Sequence, residues 1–572
     1  MLILNKLKVL ALIVIAICAV YANTVTNNFV LDDDQYLVQS DFIKNWKNAF
    51  TVFTPAYLGV SAKHVDLNRP LMTWSLIWDY SIWDLNPAGY HLTNILLHVL
   101  NTCLLFLLGV LTFKDTKVSM VAALLFGLHP IHTEAVNGIN FREDLLVTTF
   151  YLLSLIFFLK AKNSEKLQIG HVISLAFFAC ALLSKEMAIT LPIIAFLHFF
   201  AFVPQNNFRN IIQSNKWFLT CSSALILFYL TGLSILYNHS DLPKADFFGQ
   251  EWYLVIPTAG RGIVHYIKLL IYPIELSIDH NPIESRNLLD MPGLISSGFV
   301  VILFCLSLYH IRKKRVAFFF PLWFFITLLP VTTTFYRQPV AERFLYLPSI
   351  GFVFLISLIL LGLYKRLEPL NKLKPIFLIS FSLFLFFYSI GTLNRNTAWK
   401  DGYSLWRDAI RKIPDSQRGH FNTGWEVLKK GQYTEALIEF KASLSTHSNR
   451  MIAIEPVESL IGIGLAYRGM GQRDMSLIAF EEAKKTNPSD ARVHYFLGMA
   501  YQSVGMQKEA VDSFIRAINL RQDFTAARME LGNLYGVLGY NDKAIEEYKA
   551  VIQIEPDSTR GRMADKFIKA IK

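Results

Sequence analysis

Eleven apolar runs of membrane-crossing scale leave this chain few folds to choose from. They lie at residues 3–22, 92–112, 118–130, 144–160, 169–184, 189–203, 217–236, 295–311, 317–333, 347–364 and 375–392. A hydrocarbon core about 30 Å thick takes about 20 helical residues. Lipid offers no partner to an unpaired backbone group, so such runs are expected to be helices, the two shortest tilted or paired. A mean hydropathy of +0.36 over 572 residues agrees with a chain that is mostly membrane. The lysine-flanked first run resembles a signal peptide, but no small-residue cleavage site precedes the acidic triplet behind it, so it is read as an uncleaved span. All five cysteines fall in apolar runs, which implies no disulfide framework.

The net charge of +11 would suit a nucleic-acid partner, yet Lys and Arg gather in short links between apolar runs. There they set orientation, and no nucleic acid is expected. With each run crossing once, Lys6/Lys8, Lys114/Lys117, Lys160, Arg209/Lys216, Arg312–Arg315 and Lys365/Arg366 all fall on the cytoplasmic side. A further run, 261–276, contains Arg261, His265, Lys268 and Pro273; it is read as interfacial or re-entrant, because a crossing there would put Arg312–Arg315 outside. The outer side then collects the loop 24–91, His129 to Glu134, Lys185–Glu186, Glu342–Arg343 and everything after about residue 393.

Past residue 395 the sequence turns soluble and periodic. Gly464, Gly498 and Gly532 stand 34 apart, as do Gly471, Gly505 and Gly539, and Phe480, Phe514 and Tyr548 keep the same step. That period is tetratricopeptide spacing. An earlier copy runs through Gly424, Gly431, Ala436 and Phe440; Trp406, Ala409 and Pro414 read as a half repeat, and 557–572 as a polar capping helix. The expected fold is all-α: a polytopic membrane helix bundle over 1–395 with the outer loop 24–91, then a solenoid of about four repeats over 396–572.

The candidate chemistry lies on the outer side. Asp32, Asp33 and Asp34 follow the first span within about ten residues, where carboxylates are costly unless they face water or a functional cavity. They read either as a solvated loop or helix cap, or as the source of a catalytic base. The same loop carries Asp66, Asn68, Arg69, Trp74, Trp78 and Trp83, and Trp74, Trp78 and the residues between them fit an amphipathic helix at the lipid interface. His129, His132 and Glu134 lack His-Glu-x-x-His spacing, and Pro130 interrupts the helix that would align them. A hydrogen-bonding role is therefore favoured over a metal site. Lys185–Glu186 reads as an ion pair, and Glu342–Arg343 sits at the mouth of a span, where an arginine can grip a phosphate or simply anchor the interface.

The succession Leu31-Asp-Asp-Asp34, Asn68-Arg-Pro-Leu71, Leu85-Asn-Pro-Ala-Gly-Tyr-His91, Leu128-His-Pro-Ile-His-Thr-Glu-Ala-Val136, Leu183-Ser-Lys-Glu-Met187 and Ala341-Glu-Arg-Phe-Leu-Tyr-Leu-Pro-Ser349, followed by the repeats, resembles the transmembrane and tetratricopeptide-repeat-containing O-mannosyltransferases and their bacterial relatives. The resemblance implies a GT-C glycosyltransferase that moves a monosaccharide, with mannose the first candidate, from a polyprenyl-phosphate carrier to a hydroxyl, foremost a Ser or Thr of a protein. On that footing Asp33 or Asp34 is the expected base, with Asp32 and Glu134 as further carboxylates. Arg343, assisted by Arg261, Lys268 or His132, would hold the phosphate, with Glu342, His129 and Arg69 nearby. No cofactor is required and a divalent metal is optional. The expected partners are the lipid-linked sugar, membrane lipid and an acceptor polypeptide held by the repeats. The expected setting is a bacterial inner membrane with periplasmic repeats, or the endoplasmic reticulum membrane with luminal repeats in a eukaryote. The alternative is a non-enzymatic membrane scaffold that recruits proteins through its repeats.

Overall fold

The computed structural model describes residues 2–571 apart from 55, 58–59, 61–65, 67, 162–167, 203–211, 214, 240–253, 281–284, 286–289, 311–314, 333–339, 368–372, 447–453 and 557. Helices account for all the regular structure among the described residues, in two compact units, Met1–Asp408 and Ala409–Lys572.

The eleven apolar runs are almost entirely helical where described, and among the described residues six helices are long and apolar enough to cross a membrane: Lys6–Thr26, Pro87–Phe113, Lys216–Leu236, Met291–Tyr309, Ser349–Arg366 and Leu373–Ala398. Thr116–Gly127 and Ile169–Leu182 have 12 and 14 residues. At about 1.5 Å per residue they extend only about 18–21 Å, short of the hydrocarbon core. Arg142–Lys160 has the length but opens on three charged residues, all buried. Length and composition thus support six of the eleven expected crossings among the described residues. The run expected at 261–276 forms the helix Val255–Ile271, followed by a turn.

Helix Pro87–Phe113 organises the first unit. Asn86 caps it by accepting from Ala88 N at 3.2 Å, and Pro87 at its first position surrenders only an N–H that would have gone unused. Asn94, His98 and Asn101 recur at helical spacing on one buried stripe. Asn94 donates to Val136 O at 3.1 Å and Asn101 to Leu145 O at 2.9 Å. His98 contacts Gly127 O at 3.1 Å and the Tyr346 hydroxyl at 2.7 Å. Side-chain hydrogen bonds thus dock four neighbouring segments where apolar burial alone gives little drive.

Helix Pro70–Trp83 differs from the amphipathic helix expected there. Apolar side chains lie on both faces: Leu71, Met72, Leu76 and Ile77 pack inward, while Trp74, Trp78 and Ile82 are exposed. Its one charged residue, Asp79, is buried and bonded to the fully buried Arg142 at 2.6 Å. The outward face is therefore an aromatic surface rather than a polar one.

In the second unit, four helix pairs run from Gln417–Lys429 with Tyr433–Ser445 to Thr525–Val537 with Asn541–Ile554, closed by Thr559–Ile571. The two glycine series do different work. Gly431, Gly471, Gly505 and Gly539 have φ between 75° and 84°, the left-handed turn that glycine adopts without strain. Gly498 instead makes room for a ring: a Cβ there would stand 2.6 Å from Phe514.

Candidate active site

Asp33 is the member of the acidic triplet that the fold buries, at 1% exposed, while Asp32 and Asp34 are exposed. Leu31, two residues before it, has φ 55°, a left-handed conformation unusual outside glycine. The chain then passes into one turn of π-helix at Asp34–Val38, with Gln39 N bonded to Asp34 O. Both are local departures of the kind that cluster at functional sites. Asp33 Oδ2 accepts from Val30 N at 2.9 Å and Oδ1 from Asn140 N at 3.1 Å. Burial pushes its pKa up to about 7, against the two N–H bonds that lower it. A carboxylate poised near neutrality can take a proton and release it.

The second part of the site is a run of buried charges. Arg343 pairs with Glu134, whose Oε2 also accepts from Glu342 N at 2.8 Å, and its guanidinium lies over the Phe141 ring at 4.0 Å. Phe141 follows Asn140, so one short 3-10 turn, Ile139–Phe141, connects the backbone that holds Asp33 to the ring that supports Arg343. Burial opposes charge on Arg343, but Glu134, Glu143 and Asp144 outweigh it and raise its pKa. Lys185 donates to Asp144 at 2.6 Å and lies 3.6 Å from Glu143. Arg69 reaches Asp66 at 3.1 Å, Glu143 at 3.2 Å and Glu186 at 4.0 Å. Lys185 and Glu186, expected to pair with each other, therefore pair with different partners: Lys185 is extended and Glu186 opens the 3-10 helix Glu186–Thr190.

The other expected residues divide between support and separate contacts. His129 accepts from Ile131 N at its Nδ1, 3.1 Å, so its Nε2 carries the hydrogen donated to Leu270 O at 3.0 Å. It fastens the turn that presents Glu134. His132 packs among His98, Phe126 and Tyr346 with only a 3.4 Å contact to Ser349, and burial holds its pKa well below the usual value. Glu342 faces away from Arg343, accepting from Ser277 N and lying 3.2 Å from His280. Arg261 bonds Asp290 at 3.1 Å and Lys268 bonds Glu275 at 2.6 Å. Their helix meets the site through other groups: the Tyr266 hydroxyl accepts from Ala341 N at 3.0 Å, and Leu270 O accepts from His129. Sequence reasoning missed Asn140, Phe141 and His280. Their partners lie 107, 202 and 62 positions away, beyond any local spacing signal. No cluster of three or more metal-ligating side chains occurs among the described residues.

Residues 68–231 match the family described as dolichyl-phosphate-mannose-protein mannosyltransferase, and residues 457–490, 491–524 and 525–558 each match a tetratricopeptide repeat. Arg69, Glu134, Glu143, Asp144 and Lys185 fall inside the first match. Among curated proteins, the chain is 25% identical to Protein O-mannosyl-transferase TMTC3 of Homo sapiens, over 84% of this chain and 55% of that protein. It is 26% identical to Protein O-mannosyl-transferase F38B6.6 of Caenorhabditis elegans, over 71% and 58% respectively. Protein O-mannosyl-transferase TMTC1 of Homo sapiens is 25% identical, over 79% and 56%. The chain thus spans little more than half the length of the relatives it matches. The mannosyltransferase match lies in the helix bundle and the tetratricopeptide matches follow it, so in both parts the chain is similar to proteins named O-mannosyl-transferases.

Proposed function

We propose that this protein is a GT-C type membrane glycosyltransferase that moves a single sugar, with mannose the first candidate, from a polyprenyl-phosphate carrier to a Ser or Thr hydroxyl of a protein. The observation that carries the reading is Asp33: a buried carboxyl with pKa about 7, held from the same turn whose ring supports Arg343. Asp33 takes the proton of the acceptor hydroxyl as that oxygen bonds to the anomeric carbon. The bond from that carbon to the phosphate oxygen breaks, and the lipid phosphate leaves with the electron pair. One displacement of this kind inverts the anomeric centre.

Arg343 receives the growing phosphate charge, with Lys185 and Arg69 behind it. Each of these cations already faces a carboxylate in this structure. A phosphate must therefore share them with Glu134, Asp144 and Glu143, and those carboxylates keep the cations oriented and charged before the donor arrives. The phosphate is a good leaving group, so the reaction needs no metal or other cofactor. The repeats supply an extended surface for the acceptor polypeptide. The charge pattern of the links puts the repeats on the non-cytoplasmic side, and the short loops and compact spans favour a bacterial inner membrane with periplasmic repeats over the endoplasmic reticulum membrane with luminal ones.

The test is transfer of labelled sugar from a panel of polyprenyl-phosphate sugars to protein acceptors by purified wild type and Asp33→Asn. Transfer that disappears in the folded variant supports the reading. Failure of every donor, under conditions where a related transferase works, would leave the non-enzymatic scaffold.

A further inference from the structure

The mechanism above leaves one buried polar side chain beside Asp33 without a task. Asn140 is 8% exposed, and neither Oδ1 nor Nδ2 of its carboxamide has a hydrogen-bond partner. Idle buried amides are rare because desolvation goes uncompensated. The region is not loosely built, as Asn137 three residues earlier shows. Its Nδ2 donates to Thr133 O and Asn396 Oδ1, both at 2.9 Å, and its Oδ1 accepts from Asn27 Nδ2 at 3.1 Å. Two buried asparagines on neighbouring turns thus differ completely: one is fully used by the fold and the other is kept unsatisfied.

Position narrows what the idle amide can serve. The backbone N–H of Asn140 holds Asp33 Oδ1, and Phe141 carries the Arg343 guanidinium, so its residue stands between the base and the phosphate cation. A carboxamide offers donors and an acceptor together, which suits a neutral group that also does both. A phosphate oxygen only accepts and is better met by Arg343 or Lys185. A hydroxyl group fits, and in sugar transfer hydroxyls come from the sugar and from the acceptor.

We propose that Asn140 is a substrate-contacting residue, its carboxamide pairing with a hydroxyl of the sugar or of the acceptor beside Asp33. The assignment deepens the transferase reading and rests on it. Asn140→Leu, an apolar replacement of similar volume, separates a substrate contact from a structural one. Without substrate the variant unfolds at the same temperature as wild type or higher, because an unsatisfied amide has been removed. In transfer assays its KM rises about tenfold for one substrate. A rise for mannosyl-phosphoryl-polyprenol assigns the sugar hydroxyl, and a rise for a Ser/Thr peptide assigns the acceptor. An unfolding temperature lowered by several degrees, or unchanged KM for both substrates, overturns the proposal. If wild type transfers no sugar, the same two probes are read by thermal shift. A shift in wild type that Asn140→Leu loses preserves the contact while the transferase reading fails. A shift equal in both proteins, or absent from wild type, overturns the contact as well.

Discussion

Replacing Asp33 by Asn should stabilise the protein while stopping transfer, and the gain should depend on pH. Burial raises the Asp33 pKa from the ordinary 3.8 to about 7. At 1.36 kcal/mol per pKa unit that is about 4 kcal/mol against the ionised form at alkaline pH. The folded carboxyl binds its proton more tightly than the unfolded one. Its contribution is therefore favourable below pH 3.8 and is lost as pH rises through about 7. Between about pH 5 and about pH 8, wild type should lose about 2–3 kcal/mol that the neutral variant does not lose. The amide has a cost of its own. Val30 N and Asn140 N each donate to one Asp33 oxygen, so the NH2 of Asn would face one of those donors, a loss of about 1–3 kcal/mol. The net gain near pH 8 is then about 1–3 kcal/mol. Thermal unfolding of both proteins in detergent across that range measures it, and transfer rates on the same samples should rise with pH toward about 7 in wild type. A stability difference that stays flat with pH would refute the argument, since it would mean that the carboxylate is solvated or paired when ionised.

Arg343→Ala should destabilise the protein by about 3–5 kcal/mol, because it leaves Glu134 buried and unpaired; Arg343→Met with Glu134→Gln should recover most of that in thermal unfolding without restoring transfer. His129→Ala should cost about 2–3 kcal/mol in the same assay, as it frees both Ile131 N and Leu270 O inside the protein. Gly498→Ala should lower repeat stability by about 1–3 kcal/mol, seen as earlier loss of helical signal, because the new Cβ would meet Phe514 at 2.6 Å. Removal of divalent metal with a chelator should leave the transfer rate of the purified protein unchanged.

The legible parts of this protein were those written at fixed local spacing. Helix periodicity located every apolar run, and the 34-residue step placed both glycine series of the repeats before any packing was known. Crossing number is less legible, since apolar helices such as Thr116–Gly127 and Ile169–Leu182, with 12 and 14 residues, fall below the usual length of a span. In Pro70–Trp83 the spacing of Trp74 and Trp78 marks an exposed aromatic face, whereas the apolar inward face and the turn of Asp79 to Arg142 follow from packing. Within the site, sequence singled out the acidic triplet but offered no way to choose among its members. Burial distinguishes Asp33, and one of the two N–H groups that hold its carboxylate, that of Asn140, lies 107 residues away. The Lys185–Asp144 and Arg343–Glu134 pairs likewise join segments 41 and 209 residues apart. Charge pairing across such distances is decided by helix packing, to which adjacency in sequence is no guide.

The segment just before Asp33 is fastened to the far end of the membrane unit. Asn27 Nδ2 bonds Asn396 O at 3.2 Å as well as Asn137, and Asn28 N bonds Lys400 O at 2.9 Å. Asn396 also closes back on the first helix through Val20 O at 3.0 Å. Excising the repeats is therefore delicate at its very edge. A cut after residue 395 would strip away the clasp that holds residues 27 and 28, and an inactive product would report a released loop rather than a need for repeats. A cut beyond Asp408 keeps both the clasp and the Arg395–Asp408 pair, 2.5 Å, and makes the loss or survival of transfer a statement about the repeats themselves.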